Sequence, residues 1–277
     1  MSALAGITPT NYLAFSNRIS NFKTILSTTH GIMTVEVLLI SVLMFIAAVL
    51  YSSVGHAGAS GYLAVMALFN FAPAEMKPTA LALNIIVACI TTYRFYRAGL
   101  FSWNLFWPFA VTSVPLAYLG GSINLSVAIY KMTVGIVLVF AALRLVLSTI
   151  QTKPEDVHKP SVLTATALGA GLGFVSGLTG VGGGIFLTPL LLLMKWSETK
   201  VAAGVSAAFI LVNSISGIIG NRQNLPLISD SIIPLSAAVI AGGLLGTYLG
   251  TKKFDATGLR RVLAVVLIIA GVKLIFT

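Results

Sequence analysis

Gly55-His-Ala-Gly-Ala-Ser-Gly61 and Gly177-Leu-Thr-Gly-Val-Gly-Gly-Gly184 each interrupt a long apolar run. Each is followed by a short apolar segment, a Glu-x-Lys (Glu75 and Lys77; Glu198 and Lys200) and a longer apolar span. Glycine weakens a helix by up to about 1 kcal/mol per residue and permits positive φ, so both stretches read as breaks. Paired breaks at matching points of two halves are a sequence-level pointer to a transport site in a membrane protein.

The rest of the chain fits that reading. Its 277 residues are 57% hydrophobic and 9% charged, against roughly 25% charged in soluble domains. Apolar runs of membrane-crossing length recur throughout, so the expected fold is an all-α integral membrane protein in a lipid bilayer. The formal charge of +10 comes without a basic cluster interleaved with aromatics, which excludes nucleic acid as a partner. The single cysteine, Cys89, lies inside an apolar span and allows no disulfide within the chain.

Residues 1–33 form a polar, acid-free N-terminal tail without the apolar core of a secretory signal. Helices are expected at about 35–53, 57–70, 77–98, 103–122 and 126–149. Residues 151–160, with Pro154 and Pro160, read as an exposed linker. A second set is expected at about 161–177, 183–195, 199–219, 230–250 and 256–276. The first membrane repeat is thus 34–150 and the second 161–277.

The two sets read as one unit used twice. Gly55, Gly58 and Gly61 fall over Gly177, Gly180 and Gly183 at an offset of 122. Glu75 and Lys77 fall over Glu198 and Lys200 at 123, and Pro108 and Gly120 over Pro234 and Gly246 at 126. A hairpin that returns to its starting side, followed by three full spans, gives an odd unit. The second unit is then inverted relative to the first. Inversion puts eleven positive charges on one side (Arg94, Arg97, Arg144, Lys153, Lys159, Lys195, Lys200, Lys252, Lys253, Arg260, Arg261). Six lie on the other (Arg18, Lys23, Lys77, Lys131, Arg222, Lys273). The positive-inside rule places the larger group in the cytoplasm and both termini outside.

In inverted halves the glycine tips approach each other near the midplane. They expose backbone N–H groups at the N-termini of the short helices, where about half a positive charge attracts anions. The candidate substrate-binding residues are Gly55, His56, Gly58, Ser60 and Gly61 at the first break, and Thr179, Gly180, Gly182, Gly183 and Gly184 at the second. Asn84, Ser206 and Asn213 on the following helices are placed to reach the same point, and Ser176 is a nearby donor. The seven acids (Glu36, Glu75, Glu155, Asp156, Glu198, Asp230, Asp255) all map to span ends or loops, so no carboxylate awaits a cation at mid-span. The partner expected is a small anion. No cofactor, metal site or catalytic residue is expected. Histidine changes charge near physiological pH, so His56 is the candidate for proton coupling; its alternative is a neutral imidazole capping a helix end. Oligomeric state is not legible in the sequence.

Two motifs invite other classes. Gly180-Val-Gly-Gly-Gly184 lacks the Gly-Lys-Ser/Thr of a phosphate loop. Gly58-Ala-Ser-Gly61 has the form found around the nucleophile of rhomboid intramembrane serine proteases. That chemistry needs a base from another segment, and no histidine lies in a later span.

Gly-x-x-Gly-x-Gly-Gly-Gly at 177–184, followed by Phe186-Leu-Thr-Pro189, resembles the signature of the TauE/SafE family of sulfite and organosulfonate exporters. The first-half stretch at 55–61 with Tyr62 is similar to that family's N-terminal repeat, and the resemblance spans about 34–276. It implies an integral membrane transporter of sulfur-containing or related organic anions, expected in a bacterial inner membrane. The first half departs from the pattern, lacking the Gly-Gly-Gly and carrying Met66 where the second has Pro189. The expectation is a secondary anion transporter of ten helices in two inverted repeats. An anion channel or uniporter stays open as the alternative.

Overall fold

The computed structural model describes residues 35–147, 157–251 and 257–276. The expected tail at 1–33 and residues 151–156 of the expected linker lie outside them. Among the described residues the elements are helical. They are α1 (Val35–Ser52), then α2 (Ala59–Leu68), α3 (Pro73–Arg97), α4 (Trp103–Ser122), α5 (Val127–Leu147), α6 (Val162–Thr179), α7 (Gly184–Leu193), α8 (Thr199–Gly220), α9 (Ile232–Thr251) and α10 (Thr257–Phe276). A 3-10 turn at Arg222–Leu227, not expected from the sequence, joins α8 to α9.

The helix boundaries fall within two residues of expectation except at the start of α3, which begins at Pro73 rather than 77. Proline is suited to the first helical position because its missing N–H would have no intrahelical partner there. Among the described residues six helices are long and apolar enough to cross a membrane: α1, α3, α5, α6, α8 and α9. The ten residues of α2 and of α7 reach only about 15 Å at ~1.5 Å per residue, half of a ~30 Å hydrocarbon core.

The described residues from Ile40 onward pack as one unit, which does not include the opening of α1 at 35–39. Within 40–277 each short helix anchors its own core. Tyr62, Leu63 and Met66 of α2 are buried among Met44, Leu83, Leu138 and Leu267. Leu187 and Leu191 of α7 are buried among Phe109, Trp196, Val205 and Phe209. A helix that is apolar all round has no solvent face to present, so both stay inside.

Small residues set how the long helices meet, as expected where lipid leaves only close packing to hold helices together. Gly169, Gly173 and Gly177 of α6 lie against the backbone of Phe109, Ser113 and Ala117 of α4, in the same order along both helices. Gly242, Gly246 and Gly250 meet the backbone of Phe45, Val49 and Ser53 in the same way, so α9 and α1 are parallel. Gly120 and Gly246, aligned between the halves, both sit against a neighbouring backbone, Phe174 in α6 and Val49 in α1 respectively.

α3 and α8 run in opposite directions. Leu81, near the start of α3, meets Gly217 near the end of α8, and Phe95 near the end of α3 meets Gly204 near the start of α8. α5 and α10 are likewise opposed, with Gly135 against Ile275 and Val139 against Gly271. α9 follows α3, through Thr79 with Ser229 and Val87 with Gly243. α4 follows α8, through Phe109 with Trp196 and Gly121 with Gly217. Thus α1, α3 and α9 point one way and α4, α6 and α8 the other.

One charge departs from expectation. Lys77, expected at the start of a span and counted on the less positive side, is buried at 5% exposure. Its Nζ donates to the carbonyls of Gly121 (2.8 Å), Ile123 (3.2 Å) and Gly120 (3.4 Å) at the end of α4. A lysine in that place satisfies carbonyls that the helix itself leaves without donors.

Candidate functional site

The second break is built by consecutive left-handed glycines. α6 ends at Thr179, and Gly180 (φ 83°) closes it with its N–H on the Ser176 carbonyl at 2.9 Å. Gly182 (φ 83°) and Gly183 (φ 80°) then turn the chain into α7. An L side chain in this region costs roughly 1–2 kcal/mol. Space excludes one as well. A Cβ on Gly182 would lie 2.5 Å from Asn84 Nδ2, and one on Gly183 would lie 2.9 Å from the Phe209 ring and 3.2 Å from Ser176 Cβ. No side chain caps the N-terminus of α7.

The first break uses Gly55 (φ 83°) and Gly58 (φ 109°) to leave α1 and start α2, again without a side-chain cap. Each break is seated on the other half. Gly55 lies against the Ala203 backbone of α8. Gly180 lies against Lys77 and Gly182 against Asn84, both of α3.

The two breaks meet at His56. Its Nε2 is 3.0 Å from the Gly184 carbonyl oxygen and 3.1 Å from Thr188 Oγ1. A carbonyl only accepts, so Nε2 carries the hydrogen. Thr188 in turn donates to Ser206 Oγ at 2.7 Å. A hydrogen-bonded chain therefore runs His56–Thr188–Ser206, from the first break through α7 to α8.

The remaining candidates divide into satisfied and unsatisfied groups. Ser60 Oγ donates to the Tyr51 hydroxyl at 2.7 Å, and the Tyr62 hydroxyl donates to the Ala57 carbonyl at 2.6 Å beside Gly58. Gly61 packs against Ala47 and Tyr51. Thr179 Oγ1 donates to the Val175 carbonyl at 2.8 Å and accepts from Val181 N at 3.4 Å. Asn84 Nδ2 reaches the Val181 carbonyl (3.3 Å) and Ser214 Oγ (3.2 Å), but its Oδ1 has no partner. Among the described residues Ser176 Oγ and both amide atoms of Asn213 also have none, although both residues are 0% exposed.

These orphans share a neighbourhood. Ser176 and Asn84 line Gly183 and Gly182. Asn213 stands one helical turn beyond Phe209, the residue against Gly183. A buried polar group without a partner costs about 1–3 kcal/mol, and Asn84 and Ser176 carry that cost beside the glycine turn, with Asn213 buried one turn beyond Phe209. The first break has no comparable set, since its hydroxyls are paired with one another and with backbone.

Sequence reasoning missed Thr188 and Lys77. Thr188 was visible as the threonine of Leu-Thr-Pro, one turn after Gly184 and thus on the same helix face. Nothing local distinguishes Lys77 from Lys200. For a Ser60 nucleophile, the hydroxyl proton would have to face a base, and it faces a phenol instead.

Comparison with known proteins agrees with the geometry. The model of the family described as sulfite exporter TauE/SafE matches residues 40–274. A probable membrane transporter protein of Sinorhizobium fredii is 37% identical over 247 residues, covering 88% of this chain and all of that protein. One of Methanocaldococcus jannaschii is 30% identical over 51% of this chain and 53% of its own length. One of Bacillus subtilis is 28% identical over 46% and 48%. No solved structure matches significantly. The chain belongs to the TauE/SafE family and is an integral membrane transporter protein.

Proposed function

We propose that the protein is a secondary transporter of a small sulfur-containing or organic oxyanion, such as sulfite or a sulfonate. It holds the anion at the second glycine break, where α7 begins. The observation that carries this reading is the unpartnered set Ser176, Asn213 and Asn84 around the uncapped N-terminus of α7. Helix N–H groups, a hydroxyl and an amide donate to an oxyanion without a buried cation. The orphaned carbonyl oxygens of Asn84 and Asn213 favour an anion that also carries a hydrogen, as bisulfite or an aminosulfonate does.

Alternating access follows from an inverted duplication of 34–150 and 161–277 joined by 151–160. The opposed directions of α3 and α8, and of α5 and α10, support it. So does the seating of each break on the other half, which lets a rocking motion of one half move the partner's break. The His56–Thr188–Ser206 chain is the route by which a proton gradient acts on the site. The membrane is proposed to be a bacterial inner membrane.

The test is uptake of sulfite, thiosulfate, sulfate, taurine and sulfoacetate into proteoliposomes, with and without a pH gradient. Saturable uptake of at least one anion is expected. Failure of all of them in folded protein overturns the reading.

A further inference from the structure

We propose that a cavity between the start of α3, the α4–α5 turn and the 3-10 turn after α8 is an access vestibule for oxyanions, with Lys77 as its selecting charge. This rests on the anion-transport reading and adds a second site to it. The cavity encloses about 150 Å³ and is lined by Lys77, Tyr130, Asn124, Asn224 and Ala74 among others. One water needs about 10–15 Å³ in this measure, so a small hydrated anion has room.

Two residues that line the cavity, Lys77 and Tyr130, touch the second break. The Tyr130 hydroxyl donates to the Thr179 carbonyl at 3.3 Å. Gly180 lies against the Lys77 backbone, with space for no more than a Cβ at 3.3 Å from the Lys77 carbonyl oxygen. Gly183 is three residues further on, at most about 10 Å of chain. Lys77 and Tyr130 thus join the cavity to the stretch of chain that leads into Gly182 and Gly183.

The cavity's charge has one sign. Lys77 brings a full positive charge, and the end of α4 that it caps offsets roughly half. Among the described residues no acid lines this cavity. Glu75 and Asp230 line a separate depression on the other side of Ala74, and Arg222 stands exposed at the start of the 3-10 turn.

Capping a helix does not by itself call for this residue. A buried ammonium is costly, and α4 could end on glycine, asparagine or water. The second half places its corresponding Lys200 in the open. The buried lysine is therefore a feature of one face, at the mouth of the break that carries the unpaired donors.

The test reads the charge without needing transport. Asn124, exposed at the rim, is replaced by cysteine in a Cys89→Ala background, which removes the chain's single native cysteine. Modification rates are compared for methanethiosulfonate reagents bearing a sulfonate or a trimethylammonium group. The sulfonate reagent is expected to be favoured relative to its rate ratio on free cysteine by about fivefold, less in high salt. Lys77→Gln, which keeps an N–H donor for the α4 carbonyls, should abolish the preference, and Lys77→Arg should keep it. Equal relative rates in the Lys77 protein overturn the proposal, and so does a preference unchanged in Lys77→Gln. A failed transport screen would leave this result standing, so the two claims fall separately.

Discussion

Replacing Asn213 with leucine should make the protein more stable and less active. Asn213 is 0% exposed and neither amide atom has a partner. Burying an unpaired amide costs about 1–3 kcal/mol, and leucine has the same branching at Cγ without polar atoms. A protein of this size shifts its melting temperature by roughly 2–4 °C per kcal/mol, so Asn213→Leu should melt some 2–12 °C higher in detergent. The parent should be stabilised by its anion, by about 2.7 kcal/mol at a hundred times Kd. The variant should gain nothing from the anion and should have lost uptake in proteoliposomes. A variant that melts below the parent would mean that Asn213 is paired in the folded state. One that transports at the parental rate would remove it from the site.

Four further outcomes follow from the structure. Gly183→Ala puts a Cβ at φ 80° and 2.9 Å from Phe209, and should lower uptake at least tenfold. Gly171→Ala, with nothing within 4 Å, should match the parent in the same assay. Thr188→Val removes the link between His56 and Ser206; it should lower stability by about 1 kcal/mol and flatten the dependence of uptake on the pH gradient, with Thr188→Ser restoring it. Gly246→Val drives a side chain into the Val49 backbone and should lower the melting temperature or folded yield sharply, because α1 and α9 are held by that approach.

Much of the fold was legible because membrane helices are written locally. Long apolar runs, the two glycine breaks and the aligned Gly120 and Gly246 place ten helices and mark which of them are short. The start of α3 was misplaced by treating Pro73 as loop, although proline suits a first turn. The candidate site was legible in its backbone and less so in its side chains. Gly182 lies against Asn84 and Gly183 against Ser176, while Asn213 is buried one turn beyond Phe209. Ser60 was chosen for its closeness in sequence to the first break, but its partner Tyr51 lies in the last turn of α1, and that pairing is set by how α2 folds against α1. Lys77 shows the limit most clearly. Its burial depends on three carbonyls more than forty residues away, and no local pattern carries that information.

The most direct measurement is the position of a bound anion. Selenite is a heavier analogue of sulfite, and its selenium can be located by anomalous scattering in crystals of the purified protein. The account predicts a peak between Ser176, Asn213 and the backbone of Gly182–Gly183, absent in Asn213→Leu. A peak confined to the first break, or selenite bound with Ser176 and Asn213 untouched, would contradict it.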